Sequence, residues 1–498
     1  MSSTPSPVLK RRGYDLLRLP LLGALLKHRY GRLVLQLLLV GFSLLLVVDG
    51  FWGTQRAPQN LATVASWVHY RGLVVLALLL VGNLFCMACP FTLPRTLAKR
   101  LSLRGGRFPK QLRNKWLSII GLFTLFFAYE WLDLWSSPWL TAWVVVAYMV
   151  ASFVLEAWFK ESAFCKYVCP LGTFNFVYST LSPTQIGVHR ADVCGSCVGK
   201  ECINGSYSPQ PLILIDQIGQ SVQHAPSGVL GCGTELFAPQ IKTNLDCTLC
   251  LDCVRACPHD NIGLFTRSPL AELKDVTAWR KRWDVAFLVI ILAFMGLTNA
   301  FGMVPPVYRM MQAMVDQLLW MRGLGISDRL IEALVLLSWL GLGSVALPVA
   351  LTFGAALLTR QSLRKPKPSL REVVATFAPA FVPIGFAIWF AHYMFHFLIG
   401  MWTIIPVLQQ VLGLQPNWQL GGIPFDSPVL GLMELGSLGL GFVVSWWVAQ
   451  QRAIAVYGKR QSFNAMLPWL MLFLGMLLVA IWLMGLPMEM RGTDFLFE

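Results

Sequence analysis

The sequence predicts a polytopic α-helical membrane protein of about nine transmembrane helices, interrupted once by a soluble, cysteine-rich insert. Three observations carry that prediction. The chain of 498 residues is 56% hydrophobic and 13% charged, with a mean hydropathy of +0.59, whereas soluble domains carry about 25% charged residues. Apolar runs of about 20 residues, enough to cross a hydrocarbon layer about 30 Å thick as helix, recur along it. All twelve cysteines lie between Cys86 and Cys257, a clustering that fits ligation in a reducing compartment better than a scattered disulfide framework.

The apolar segments expected to span are 33–51, 72–90, 116–135, 140–160, 283–303, 331–357, 373–399, 429–450 and 464–485. They divide the chain into a basic N-terminal stretch (1–32), two transmembrane hairpins (33–160), the insert (161–282) and a five-helix transmembrane part (283–498). A net charge of +15 would suggest nucleic acid if it sat on one soluble face. Here Lys and Arg fall between apolar runs, where they set topology, so no nucleic-acid partner is expected.

Lys10, Arg11, Arg12, Arg18, Lys27, Arg29 and Arg32 precede the first span, with no convincing cleavage site. Arg95, Lys99, Arg100, Arg104, Arg107, Lys110, Arg113 and Lys115 follow the second span; Arg360, Arg364, Lys365, Lys367 and Arg371 follow the sixth; Arg452, Lys459 and Arg460 follow the eighth. By the positive-inside rule these connectors, the N-terminus and the insert are cytoplasmic, and the C-terminus lies outside a cytoplasmic (inner) membrane. Segments 304–330 and 401–428 are expected outside, the first as amphipathic pieces and the second as loop.

The chemistry is concentrated in Cys247-Thr-Leu-Cys250-Leu-Asp-Cys253-Val-Arg-Ala-Cys257-Pro258. Two-residue gaps let three thiolates wrap one iron–sulfur cube, and a fourth Cys followed by Pro ligates a neighbouring cube. Zinc ribbons also use paired Cys-x-x-Cys, but a zinc site has no use for three equally spaced cysteines plus Cys-Pro. The motif is that of a bacterial-type two-cluster ferredoxin. Upstream, Cys194, Cys197 and Cys202 read as the ligands of a first [4Fe–4S] cluster, with Cys232 displaced by a long insertion. The cross-over rule then gives Cys257 to the first cluster and Cys232 to the second, beside Cys247, Cys250 and Cys253. The alternative leaves Cys232 unligated. Lys242 and Arg255 are placed to favour a reduced, more negative cluster, or simply to be solvated.

The two hairpins form an internal repeat. The first returns to Cys86-Met-Ala-Cys89-Pro90 and the second to Cys165-Lys-Tyr-Val-Cys169-Pro170. Each pair is expected at the inner end of a returning helix, with both thiols on one face and all four converging just above the clusters. Such thiols could bind a metal or cycle between thiol and disulfide, or be small apolar side chains. In the second half, His392 and His396 stand four apart on the seventh span, with His69 expected just before the second span at the same outer level. Histidines in spans mark quinone, haem or metal sites, or hydrogen-bond within the bundle.

A Cys-x-x-x-Cys-Pro ending a membrane helix, followed by a two-cluster ferredoxin, resembles the NapH- and NosR-type membrane polyferredoxins over approximately residues 30–300. The resemblance rests on Cys165, Cys169, Pro170 and the insert cysteines; Cys86-Met-Ala-Cys89-Pro90 is one residue shorter than the usual spacing. It implies quinol-linked electron delivery to a partner redox protein or terminal reductase, and support of cofactor maturation. Three readings follow: an electron-transfer subunit between the quinone pool (or a cytoplasmic donor) and a partner; a self-contained quinone oxidoreductase; and a metallocentre maturation protein. No phosphate-binding loop or dinucleotide fingerprint is present.

Overall fold

The computed structural model describes residues 13–28, 30–93, 106–205, 229–277, 279, 282–364 and 366–489. Lys10, Arg11, Arg12, Arg29, Arg95, Lys99, Arg100, Arg104 and Lys365, most of the insertion before Cys232, and the C-terminus lie outside them. Among the described residues eight helices are long and apolar enough to cross a membrane: Gly31–Trp52, Leu61–Leu80, Pro138–Trp158, Trp283–Phe301, Asp328–Ser362, Leu370–Gly400, Pro428–Tyr457 and Lys459–Met484. Their outer faces expose Leu38, Leu44, Leu440 and Met471, as a lipid bilayer requires of helices that satisfy their own backbone.

The expected span at 116–135 is shorter. Its helix, Trp116–Trp131, has 16 residues, about 24 Å of rise. The chain then turns, with Asp133 at φ 47°. This helix still joins the two ends of the bundle. Lys115 at its start is held by the insert, and Trp131 Nε1 at its end donates to Arg329 O at 3.2 Å. Connectors on the far side meet one another there, as where Gln410 Nε2 donates to Thr54 Oγ1 at 2.8 Å.

The second span departs most from expectation. It runs from Leu61 to Leu80 rather than over 72–90. Asn60 starts it, its side chain accepting from Ala62 N at 2.9 Å. It stops at Gly82, whose φ of +106° suits glycine, and the Ser182 and Thr184 hydroxyls of the insert donate to the exposed Val81 carbonyl. The apolar pattern of 84–88 belongs to a separate short helix, Leu84–Ala88. In the other hairpin the helix ends at Trp158, and Cys165 lies on a further single turn, Phe164–Val168. Neither Cys-Pro pair therefore ends a spanning helix; each follows a break. Segment 401–428 is not all loop either: its helix Ile404–Val411 packs on Leu61 and Val64.

The core sits between the Trp283–Phe301 and Leu370–Gly400 helices, which are buried on nearly every side, as helices apolar all round must be. Small residues let their neighbours close in. At Gly441 an added Cβ would lie 2.4 Å from Ala387 Cβ and 3.1 Å from Pro383 O.

The insert carries one two-stranded antiparallel sheet, β1 (Thr184–Val188) and β2 (Ile262–Thr266), with Gly187 opposite Gly263. The N-terminal segment belongs to it rather than standing apart. Thr266 N donates to Tyr14 O at 2.9 Å, and Leu264 N to Asp15 Oδ1 at 3.0 Å. A Cβ at Gly263 would sit 2.5 Å from that carboxylate. Lys27 then pairs with Asp260 at 2.8 Å.

Overpacking the helix contact gives a first prediction. Gly441→Val should destabilise the detergent-solubilised protein by about 1–3 kcal/mol, whereas Gly439→Val, with nothing within 4 Å of its Cβ, should melt like the wild type. Equal melting of the two variants would show that the close approach at Gly441 is not a constraint.

Candidate functional site

The insert places its eight cysteines in two groups of four. Backbone turns do the work. Lys200, Asp246, Leu249 and Leu251 all take positive φ, between 46° and 66°, a conformation costing a non-glycine residue about 1–3 kcal/mol that persists only where the surroundings enforce it. Leu249 and Leu251 alternate with Cys250 and wrap the loop around its own interior.

In one group Cys202 has Cys257, Cys194 and Cys197 as its near neighbours, and Cys197 has Cys257. In the other, Cys247, Cys250 and Cys253 each have Cys232 as a neighbour. Both groups draw one cysteine from the far half of the motif. Burial pushes the Cys202 thiol up to about 11 and raises Cys247, Cys250 and Cys253 as well. Amides already point at sulfur: Asn261 Nδ2 donates to Cys194 Sγ at 3.2 Å, and Leu236 N to Cys232 Sγ at 3.4 Å.

Among the described residues no set of three or more His, Cys, Asp or Glu is spaced to hold one metal ion. A single tetrahedral zinc with bonds of about 2.3 Å would need sulfurs about 3.8 Å apart. A cube, in which each thiolate binds its own iron, needs them farther apart. Two sets of four thiols are the donor chemistry that such cubes use.

The second group faces the membrane bundle and the first faces away. Cys247, Cys250 and Cys253 are buried with Cys232 half-buried, while Cys194, Cys197 and Cys257 are half-buried with Cys202 buried. Asn83 Nδ2, one residue before the Leu84–Ala88 helix, donates to Cys247 O at 3.0 Å. Lys166 Nζ, between Cys165 and Cys169, donates to Thr234 O at 2.5 Å. Arg32 pairs with Asp252 at 2.8 Å and donates to Met87 O at 3.0 Å. Lys115, which looked like one of the topology-setting charges, is instead buried against Asp246. Arg255 binds Asp252, the Cys250 carbonyl and Leu26 O, sharing that carboxylate with Arg32; Lys242 is exposed.

Cys86, Cys89, Cys165 and Cys169 line a single small cavity beside Thr248 of the insert. All four are free thiols. Each Cys before Pro opens a new helical turn, Cys89 before Pro90–Thr92 and Cys169 before Pro170–Tyr178. Burial pushes Cys86 up to about 11 and Cys169 up to about 12, so these thiols are protonated at neutral pH unless a cation holds them.

Behind this cavity, sharing Phe85, Phe91 and Leu171 with it, opens a much larger apolar cavity of about 710 Å³ among the two hairpins. Arg71 stands in its wall, its guanidinium 4.9 Å from the Trp67 ring, 4.6 Å from Tyr129 and 5.3 Å from Tyr393. Nearer the thiols, the buried Tyr148 hydroxyl lacks a hydrogen-bond partner among the described residues. Neither Arg71 nor Tyr148 was singled out from sequence. A span at 72–90 leaves Arg71 just outside it; the break signal that corrects this is Gly82-Asn83.

The three histidines do not converge on an ion. His69 lies inside its span, on a π-helical turn, rather than before it. Its Nδ1 is 3.1 Å from Val64 O and its Nε2 3.2 Å from Met401 O, and its ring packs edge-on to Phe397. Of the three, His69 alone lines the large cavity. His392 and His396 are buried on their helix with rings 5.1 Å apart. Compared with family models, with curated proteins and with solved structures, the chain matches none.

Proposed function

We propose that this chain is a membrane-bound iron–sulfur electron-transfer subunit that relays electrons between the quinone pool and a partner redox enzyme, and that it is kin to the NapH- and NosR-type polyferredoxins. Cys194, Cys197, Cys202 and Cys257 would hold one [4Fe–4S] cluster, and Cys232, Cys247, Cys250 and Cys253 the other. When bound, each cluster supplies a one-electron carrier whose potential depends on hydrogen bonds to sulfur and on exposure. The chain's own part is to hold and shield. The left-handed leucines fix the thiol directions, Asn261 and the Leu236 amide steady the sulfurs, and the bundle keeps water from the second group. The observation that carries the reading is the division of the eight insert cysteines into two interlocked groups of four.

Anaerobically purified protein should contain at least eight irons per chain by this ligand count. Cys253→Ser should damage one cluster and Cys257→Ser the other, although the two residues are four apart. Loss of the same spectroscopic signal in both variants, or an iron content of four or fewer, would rule the assignment out.

The large cavity favours quinone as the membrane-side partner, which also keeps a self-contained quinone oxidoreductase in view. Its volume lies in the range of small-molecule sites, apolar with a few placed polar groups. Arg71 can donate to a quinone oxygen, a charge-assisted bond of about 1.5–3 kcal/mol. Arg71→Leu should therefore raise the KM for a short-chain quinol roughly ten- to hundredfold, while reduction by dithionite stays unchanged. An unaltered KM would remove Arg71 from the site.

We place the insert and the basic connectors in the cytoplasm. Arg452 Nη1 donates to Leu273 O and Asp275 O at 2.9 and 3.0 Å, and Arg371 lies over Trp283, so charged connectors gather at the insert end, as the positive-inside rule expects. At the far end Glu489 N meets Met303 O at 2.8 Å, so the C-terminus would be outside. A reporter that works only in the cytoplasm, fused after Glu498 and found active, would refute this orientation.

A further inference from the structure

The four thiols of the Cys-Pro pairs are built like ligands rather than like packing. Gly172 N donates to Cys169 Sγ at 3.2 Å, and the wholly buried Asn175 donates through Nδ2 to Cys86 Sγ at 3.5 Å. Donors aimed at sulfur favour the anionic thiolate that a metal needs. Each pair also has one cation fastened to its turn. Arg32 Nε donates to Met87 O at 3.0 Å, between Cys86 and Cys89, and Lys115 Nζ to Lys166 O at 2.6 Å, between Cys165 and Cys169. Phe85, Phe91, Phe164 and Phe176 complete the wall and exclude water.

The ligand set narrows the class. The four sulfurs share one cavity and none is bonded to another. Four cysteines drawn two and two from facing turns, with no histidine or carboxylate beside them in the lining, make the all-thiolate set that an iron–sulfur cluster takes.

We propose that Cys86, Cys89, Cys165 and Cys169 hold a third iron–sulfur cluster, two thiolates from each hairpin, at the junction between the insert and the membrane bundle. This rests on the reading of the insert as iron–sulfur, and it adds a centre that the ferredoxin motif does not contain. Its place is in line: Thr248, next in the chain to Cys247 of the second group, lines its cavity, and the large cavity adjoins it across Phe85 and Phe91.

The test compares full-length wild type with Cys86→Ser/Cys165→Ser, both purified anaerobically in detergent, by iron and sulfide content and by electron paramagnetic resonance after stepwise reduction. The double variant should lose two or four irons per chain and one signal, with the two insert signals intact. The number lost reads the cluster type. Identical iron content and spectra in the two proteins would overturn the third cluster while leaving the insert clusters standing. Iron-free wild type would overturn both.

A milder variant covers the case in which the double variant does not accumulate. Asn175→Leu removes the donor to Cys86 Sγ and should lower the midpoint potential of the third signal alone. Three unchanged midpoints would overturn the assignment.

Discussion

Lys115 is the group on which the junction depends. Its ammonium is buried where the short Trp116–Trp131 helix, the second cysteine turn and the insert meet. There it pairs with Asp246, donates to Lys166 O and lies over the Phe176 ring. Burial alone would push the Asp246 carboxyl up, but the charges of Lys115, Arg282 and Lys166 outweigh it and hold that carboxyl below its ordinary range. Asp246 directly precedes Cys247, so the ion pair also sets where the second cysteine group begins. Removing one member of such a buried pair strands the other at a cost of about 3–5 kcal/mol. The position of the insert on the bundle is therefore defined at one point by charge, and elsewhere by short polar contacts such as Asn83 to Cys247 O.

Breaks in helices dominate the rest. A membrane helix can end only where its orphaned carbonyls find partners, and here the insert provides them, as Ser182 and Thr184 do for Val81. The insert is thus part of the solvent for the bundle's end. The turns bearing Cys86 and Cys165 are satisfied from the bundle: Arg32 donates to Met87 O and Gln36 to Cys89 O, Lys115 to Lys166 O and Ser118 to Tyr167 O. The N-terminal segment closes the arrangement from the other side, with Asp15 bound to β2 and Arg255 bound to Leu26 O.

Composition and apolar run length were enough to read a polytopic helical protein, and most helix positions follow from them. What they could not give was the register of the second span. Residues 61–90 are apolar nearly throughout, so hydropathy alone allows the helix to slide, and Asn60 and Gly82 settle it only through contacts made in three dimensions. That slide displaced His69 and concealed Arg71. The insert cysteines stand out in the sequence because Cys-x-x-Cys spacing is a local geometric instruction, whereas the exchange of Cys232 and Cys257 between the groups is expected from the cross-over rule. The large cavity was not, since its wall comes from segments as distant as Leu35 and Tyr393. Lys115 misled for a related reason: a lysine beside a span looks like a topology signal until its acidic partner, 131 positions away by number (246 − 115), is seen beside it.

The half-exposure of Cys194, Cys197 and Cys257, against the burial of Cys247, Cys250 and Cys253, has a consequence for traffic. A soluble molecule can approach three thiols of the first group, while in the second only Cys232 is comparably open. Dioxygen, as a small diffusing oxidant, meets the same restriction. An insert built this way is like a cable stripped at one end: Cys197 and the exposed Val198 form the side on which its cysteines can be touched, and the deeper thiols are insulated from whatever dissolves around it.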